Sequence, residues 1–299
     1  PAPIAETPAA EATSATTEAV PPTSGVISKN PSSSSPIAIS EDDSLLVVVN
    51  NLDDSITVIN VANDVNTKIA EIEVGDEPRT VAISPDKQWA YVTNQGSGTV
   101  SVINLATNQK EKDVPVGVEP YGIALTPDGT RGYVANSASN TVSVMEMPSN
   151  EVVATIAIPG IQPRGVAITN NEGGQGQQFV YVTQFLSQPT PSGGPGQDQG
   201  SEGKVFVLST TDDSQIQGVI TLSAHETGFT ANRTAFGGTE ADPTFAYPNQ
   251  LQAIVLKNGR GYLPNVAASP EGPIRFNVDT QAFLSVFDVA AKAELSGGT

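Results

Sequence analysis

Side chains able to bind an anion recur at matching places along the chain. Arg79 in "EPRTV", Tyr121 in "EPYGI" and Arg164 in "QPRGV" each follow a proline that opens an apolar stretch, and we assign Gln250 to the matching place in a later stretch. Arginine presents a planar pair of donors that binds carboxylates through two hydrogen bonds. If the fold brings these four side chains together, they form an anion or carboxylate site.

The excess of acidic residues supports a different interpretation of the same arginines. The 299-residue sequence contains 32 Asp and Glu against 14 Lys and Arg, a formal charge of −18. Each arginine then pairs with a neighbouring acid such as Glu77 or Glu119, and we favour this alternative over a ligand site. The same charge repels nucleic acid and anionic membrane surfaces, so we expect neither as a partner.

Other residue types that carry chemistry are missing from the sequence or isolated in it. There is no cysteine, which excludes disulfides, thiol catalysis and zinc-thiolate sites. The single histidine, His225, stands beside Glu226 without clustered partners, so we predict a surface or loop-packing role. Residues 127–129 and 170–174 lack the spacing of a calcium loop and are predicted turns, which leaves calcium open as a ligand. We assign no catalytic residue, no metal ligand and no cofactor.

A near-copy of one stretch predicts the element that positions these side chains. Residues 91–104 read "YVTNQGSGTVSVIN" and residues 133–146 read "YVANSASNTVSVME". In each copy, small polar residues separate two apolar stretches rich in β-branched residues, which predicts a hairpin. An apolar stretch with a Pro-Asp turn precedes each copy, and an alternating stretch follows it. The unit is therefore a four-stranded antiparallel meander, the blade of a β-propeller.

Five such units are visible, and they predict an all-β propeller. The predicted blades span residues 36–75, 76–117, 118–160, 161–223 and 249–295. The first strand of each blade lines the central channel, so the four candidate binding residues should converge near one mouth. Large rings recur in one register, which favours a core role between blades over a sugar-binding surface. These rings belong to Trp89, Tyr91, Tyr133, Tyr181 and Tyr262.

Two insertions interrupt the later blades. Residues 187–203 are rich in Gly, Pro and Gln, so we expect a mobile, projecting loop. Residues 224–248 contain several rings, so we expect this insertion to pack down and to form a surface for a partner. The rings are Phe229, Phe236, Phe245 and Tyr247.

Residues 1–35 have the composition of a tether. Pro, Ala, Ser, Thr and Glu dominate this stretch and leave little apolar area to bury. The chain does not begin with Met, which fits a mature exported chain. No stretch of the sequence approaches the roughly 18 apolar residues that span a bilayer, so we expect no transmembrane segment. The last meander stops near its outer strand, and we expect a truncated part of a seven-bladed ring with two open edges.

The repeats "YVTN", "YVAN" and "YVTQ", with their Pro-Asp turns and "TVSVI"-like strands, resemble the YVTN-repeat β-propellers. That resemblance covers roughly residues 34–290 and implies an exported protein of the periplasm or the cell surface. Larger propellers of this kind sometimes carry a c-type haem module, but this sequence contains no Cys-x-x-Cys-His. "YLPN" at 262–265 departs from the motif, so blade count and binding sites do not transfer with it.

Three functional classes fit these observations. We favour a non-catalytic scaffold that binds another protein or a cell-envelope component, since it requires no residue that the sequence lacks. A lactonase-type hydrolase would need an acid/base or metal cluster at the channel mouth, which we do not find in the sequence. An electron-transfer protein or oxidoreductase would need a haem domain downstream. The preference for binding rests partly on the resemblance, because fold does not fix function.

Overall fold

Five antiparallel β-sheets follow one another along the chain and contain nearly all of its regular structure. The computed structural model describes residues 30–147, 149–170, 178–191, 193–194, 196–213, 215–230, 243–271 and 280–295. Within these ranges the single helix is a 3₁₀ turn at Ala62–Asp64, and no helix is long and apolar enough to cross a membrane. The predicted all-β fold of successive four-stranded antiparallel blades is confirmed.

The first three blades are regular meanders in which each strand pairs with the next. A short strand, β1 (Ser32–Ser33), precedes them. Blade 1 contains β2 (Ile37–Ile39), β3 (Leu45–Asn50), β4 (Ser55–Asn60) and β5 (Thr67–Glu73). Blade 2 contains β6 (Pro78–Ile83), β7 (Trp89–Asn94), β8 (Thr99–Asn104) and β9 (Gln109–Pro115). Blade 3 contains β10 (Pro120–Leu125), β11 (Arg131–Asn136), β12 (Thr141–Glu146) and β13 (Glu151–Ala157).

The last two blades contain additional strands. Blade 4 contains β14 (Pro163–Ile168), β15 (Phe179–Gln184), β16 (Gln188–Pro189), β17 (Ser201–Ser209) and β18 (Ile216–Leu222). Blade 5 contains β19 (His225–Thr230), β20 (Pro243–Asn249), β21 (Val255–Lys257), β22 (Arg260–Ala268), β23 (Thr280–Asp288) and β24 (Ala293–Glu294). The inner strands of successive blades, β6, β10, β14 and β21, lie beside one another, so the blades surround a common axis.

The repeated hairpin has the predicted strand pairing, and its asparagine stabilises the turn. Strands β7 and β8 are neighbours, with Asn94 opposite Thr99. Asn94 Nδ2 donates to Thr99 Oγ1 at 3.0 Å and to Ser101 Oγ at 2.9 Å. Equivalent donations from the last residue of the motif to a third-strand hydroxyl occur in blades 1, 3 and 5. They run from Asn50 to Thr57, from Asn136 to Ser143 and from Asn265 to Ser285.

Large rings fill the space between blades, as predicted. Tyr91, Tyr133 and Tyr181 take the same place in three successive blades and are at most 2% exposed. Burial raises the pKa of each phenol above its ordinary value. The Tyr181 ring lies 5.2 Å from the ring of Phe287 in blade 5. The other two predicted core rings are only partly buried, and they are Trp89 and Tyr262.

The insertion at 187–203 is folded, so the prediction of a projecting loop is wrong for its described residues. Strand β16 pairs with the start of β17, and Asp198 is 1% exposed. The Asp198 carboxylate accepts hydrogen bonds from Ser269 Oγ at 3.0 Å and from the backbone N–H of Glu271 and Phe245 at 2.7 and 3.0 Å. These donors compensate the buried charge. A polar anchor therefore holds the insertion to blade 5, which a search for apolar residues does not detect.

The insertion at 224–248 lengthens the sheet of blade 5. Its two strands form a hairpin, and β20 pairs with the end of β22, with Tyr247 opposite Ala268. Phe229 is 44% exposed, whereas Phe245 and Tyr247 are half-buried. Phe236 lies outside the described residues. The role of the 224–248 insertion as a partner surface stays a prediction.

Residues 30–35, which we assigned to the tether, lie inside the propeller. Strand β1 pairs with β14, the inner strand of blade 4, and places Ser32 opposite Ile168. Ser35 forms a bridge with Val81 in the inner strand of blade 2. Residues 31–36, which we call the axial segment, therefore run where the inner strands present their edges. Hydrogen bonding to strand edges requires little apolar area, and the assignment to a tether rested on apolar area alone.

Candidate functional site

In blades 2 to 5, the residue that we assign to the channel mouth comes two positions after a residue with positive φ. Those positive-φ residues in blades 2 to 5 are Glu77 (51°), Glu119 (52°), Gln162 (57°) and Gln250 (53°). Gln250 thus matches the position before the blade-opening proline, and Gln252 takes the mouth position. The assignment of Gln250 to the mouth is wrong by two residues. In blade 5, Leu251 takes the place of the proline that precedes the mouth residue in blades 2 to 4, so no proline marks the register.

The contacts of two glycines with the neighbouring inner strand agree with this register. Gly122, which follows Tyr121, lies against the carbonyl of Arg164, and Gly165 lies against the carbonyl of Gln252. Arg164 and Gln252 are therefore equivalent residues in neighbouring blades.

A β-bulge at the start of three inner strands directs these side chains to the mouth. The pairing register shifts between residues 78 and 81, 120 and 123, and 163 and 166. A bulge re-aims the side chains that it carries, and bulges are frequent beside functional sites. The shifted residues include Arg79, Tyr121 and Arg164, which explains why they leave the regular alternation of the strand.

Three of the four predicted residues, together with Phe185 and Gln252, form one cluster. The Arg164 Cζ atom lies 3.5 Å from the centroid of the Phe185 ring and 4.7 Å from that of Tyr121. Gln252 Nε2 donates to the Tyr121 hydroxyl at 2.5 Å. Arg79 also lies near Tyr121, with its Cζ atom 5.8 Å from the ring centroid. We call this set, with Gln95, the mouth cluster.

Arg79 follows the ion-pair alternative. Its Nη2 lies 3.4 Å from Glu77 Oε2, and its Nε donates to Gln95 Oε1. Gln95 Nε2 in turn donates to Glu119 Oε2 at 3.3 Å. Both acids that the sequence suggested as partners are therefore engaged near Arg79.

Arg164 does not follow the ion-pair alternative. Among the described residues, no carboxylate forms an ion pair with Arg164, and its buried Nε–H has no acceptor. The guanidinium instead lies against two rings. Burial lowers the pKa of Arg164 from its ordinary value, and the nearby charge of Arg79 acts in the same direction, against opposing effects of Tyr121 and Glu119. An anion bound beside Arg164 would supply the missing acceptor and favour the charged form.

Blades 4 and 5 extend beyond the mouth on the side of Arg164. The pairing of β15 with β17 ends where Thr183 lies opposite Val205, but β17 itself begins four residues earlier, at Ser201. Strand β22 continues past Asn265, the counterpart of Asn94, as far as Ala268. The mouth cluster therefore has a raised wall on one side and the shorter turns of blades 2 and 3 on the other.

Sequence reasoning missed Gln95 and Phe185, although a signal for both was present. Each residue directly follows the second-strand motif, after "YVTN" and "YVTQ". Their backbone N–H groups donate to the carbonyls of equivalent positive-φ residues, Gln95 to Glu77 and Phe185 to Gln162, both at 2.9 Å. Aligning the residue after the motif would have placed both at the mouth.

His225 lies in a separate environment. Its Nε2 is 2.8 Å from Glu294 Oε1, and the other oxygen of Glu294 accepts from the Ser223 N–H at 2.9 Å. This contact joins the start of β19 to the last strand of blade 5. It agrees with the predicted loop-packing role and involves no residue of the mouth cluster.

Comparison with known proteins supports the propeller fold. A model of the family described as "Lactonase, 7-bladed beta-propeller" matches residues 6–117. The match covers less than half of the chain and ends before Tyr121 and Arg164. A search of curated protein sequences found no match.

Two solved structures resemble the chain at low sequence identity. A protein of unknown function from Desulfotomaculum acetoxidans aligns with a TM-score of 0.52 and 15% identity, covering 88% of this chain and 86% of that one. Hydrazine synthase from Kuenenia stuttgartiensis aligns with a TM-score of 0.47 and 19% identity, covering 79% of this chain and 77% of that one. At 15% identity the first likeness indicates a shared fold alone.

Proposed function

We propose that this chain is a non-catalytic binding propeller and that its channel mouth binds a carboxylate group of another protein or of a cell-envelope component. The observation that carries the proposal is Arg164, a partly buried guanidinium with an unused Nε–H and no ion-pair partner among the described residues. A carboxylate would complete its hydrogen bonding through the planar donor pair.

The surroundings of Arg164 support recognition of a group rather than of net charge. The rings of Phe185 and Tyr121 both lie against the guanidinium, and Gln252 donates a hydrogen bond to the Tyr121 hydroxyl. The chain as a whole carries a charge of −18, which repels a diffuse polyanion. A compact carboxylate can still bind because the contact with arginine acts at short range.

The test is a titration of the full chain with glutarate and with a triglutamate peptide, followed by calorimetry. We expect saturable binding that Arg164→Ala weakens by about tenfold to a hundredfold, since a hydrogen bond to a charged group contributes about 1.5–3 kcal/mol. Arg164→Lys should also bind more weakly, because lysine lacks the planar donor pair. Arg260→Ala is the matched control, since Arg260 is exposed on the second strand of blade 5, outside the mouth cluster, and it should bind as the wild type does.

Two results would overturn this proposal. One is the absence of saturable binding with either probe. The other is equal affinity for the wild type and Arg164→Ala, which would place binding elsewhere on the surface.

A second candidate is hydrolysis of a lactone, which the family match at residues 6–117 favours. Water would add to the carbonyl carbon, the ring C–O bond would break, and a hydroxy acid would leave. At the mouth, Glu119 would accept a proton from the attacking water and then donate it to the departing ring oxygen, which becomes the hydroxyl of the product, while Arg164 would stabilise the negative charge on the carbonyl oxygen. Acid release from a six-membered sugar lactone tests this. If the chain releases acid faster than the lactone hydrolyses spontaneously, and Glu119→Gln loses this activity, hydrolysis would replace the binding proposal. Acid release at the spontaneous rate would count against hydrolysis and leave the binding proposal in place.

Export to the periplasm or the cell surface is part of the proposal. The tether composition of residues 1–29 and the resemblance of the repeats support it. A role as the propeller module of a larger c-type haem protein stays a prediction that only a downstream domain would support.

A further inference from the structure

The axial segment forms hydrogen bonds with the inner strands of blades 2, 3 and 4 and then continues into β2, where Pro36 extends the pairing with β3 of blade 1. Ser32 Oγ accepts from the Leu125 N–H of blade 3 at 3.1 Å. The Ser35 carbonyl accepts from Val81 of blade 2 at 2.9 Å, and the Pro36 carbonyl accepts from Val49 of blade 1 at 2.9 Å.

Its contact with blade 4 is the most extensive. Strand β1 pairs with β14, and the Ser34 N–H donates to the Val166 carbonyl at 2.8 Å. The Val166 N–H, at the end of the bulge that carries Arg164, donates to Ser34 Oγ at 2.9 Å. The backbone N–H and carbonyl of Val166 are thus both satisfied by Ser34, the carbonyl by its backbone N–H and the N–H by its side chain.

The groove is shaped for small residues. A Cβ atom at Gly122 would lie 2.1 Å from the Arg164 carbonyl oxygen and 2.9 Å from Ser34 Oγ, so glycine at this place leaves room for the neighbouring inner strand and for the serine. Ser34 is 9% exposed. Serine is small, and its hydroxyl can accept a hydrogen bond from a backbone N–H. Both properties suit the crowded strand edges.

We infer that the channel is a strand-binding groove for an extended, serine-rich peptide, and that the chain fills it with its own residues 31–36. In this view the axial segment is a donor strand. It satisfies inner-strand N–H groups that would otherwise lack partners. It also lies close to the backbone that carries Tyr121 and Arg164, because Ser34 lies against Gly122, which follows Tyr121, and bonds Val166, two residues after Arg164.

Hydrogen exchange of single amides in the full chain tests this inference without any carboxylate ligand. Ser34→Ala should speed exchange of the Val166 amide by about tenfold, since it removes one hydrogen bond. Ser33→Ala is the matched control, because the Ser33 hydroxyl forms no hydrogen bond in the described part of the chain. It should leave the Val166 amide unchanged.

A full-chain variant in which all four serines of "PSSSSP" become glycine extends the test. The amides of Leu125 and Val166 should lose protection, and a synthetic peptide of residues 30–37 added in excess should restore it. The same peptide with glycine in place of serine should not. Equal Val166 exchange in Ser34→Ala and Ser33→Ala, or no rescue by the serine peptide, would overturn the inference. If the glycine variant does not fold, the single substitutions decide.

Discussion

At the scale of single residues, Asn136 shows why the repeated motif ends in asparagine. Its Nδ2 donates to Thr141 Oγ1 at 3.0 Å and to Ser143 Oγ at 2.9 Å, while its Oδ1 accepts from the Gly117 N–H at 3.1 Å. The side chain is fully buried. A short amide is the side chain that offers two donors and an acceptor within this space. Asparagine therefore closes its own hairpin and holds the chain segment that arrives from the preceding blade.

Replacing Asn136 should be costly. Asn136→Ala leaves the part-buried Gly117 N–H and the buried Ser143 hydroxyl without the partner that Asn136 supplies, so we expect a loss of about 2–3 kcal/mol in the free energy of unfolding. Gln109→Ala, which removes an exposed amide, should change it by less than about 0.5 kcal/mol. Urea unfolding of both variants measures the difference. Equal stability would contradict the role assigned to the motif.

The residues of the mouth cluster were only partly predictable. Arg79, Tyr121 and Arg164 could be found because a proline marks their place in three blades. Gln252 could not, since Leu251 replaces that proline, and the isolation of Arg164 from acids depends on side-chain geometry that the sequence does not contain.

At the scale of elements, a glycine marks the crossing from one blade to the next. Gly75, Gly117 and Gly160 precede the positive-φ residue at the same distance. A Cβ atom at Gly75 would lie 2.7 Å from Asn94 Nδ2, and one at Gly117 would lie 2.5 Å from Ser139 Oγ. The crossing chain thus passes directly over the motif of the next blade, which requires a residue without a side chain.

Gly117→Ala should therefore destabilise the protein. Overpacking at this contact is expected to cost about 1–3 kcal/mol. Gly218→Ala in β18 is the control, because a Cβ atom there would meet nothing within 4 Å. Thermal unfolding of the two variants should differ clearly. A Gly117→Ala protein as stable as Gly218→Ala would show that the crossing relaxes freely.

At the scale of the whole molecule, blades 1 and 5 each present a partly exposed apolar face. No strand pair joins these two blades within the described ranges. Ile37 and Ile39 on blade 1 are 50% and 54% exposed, and Val266 and Leu284 on blade 5 are 37% and 48% exposed. Exposed apolar area of this kind promotes association.

We expect the chain to associate through these faces at high concentration. The double substitution Val266→Lys with Leu284→Lys should reduce association, because it adds charge to the face of blade 5. Leu52→Lys is the control, since Leu52 is an isolated turn residue that is 93% exposed. Light scattering against concentration measures the effect. Equal association of the double variant and the control would exclude this face.

The propeller was predictable from the sequence because its repeats place the same residue types at the same register. The axial segment and the Asp198 anchor were not, since both depend on hydrogen bonds between segments far apart in the chain. Low apolar content indicates disorder only where no such partner exists.

The central claim is that Arg164 at the channel mouth binds a carboxylate. The most direct measurement follows the Nε–H resonance of Arg164 by NMR while the full chain is titrated with glutarate. We predict a saturable shift of this resonance, with no change at the Nε–H of Arg260, because the bound carboxylate supplies the acceptor that the buried Nε–H lacks. An Arg164 resonance that stays constant while binding occurs, or that shifts no more than that of Arg260, would contradict the claim.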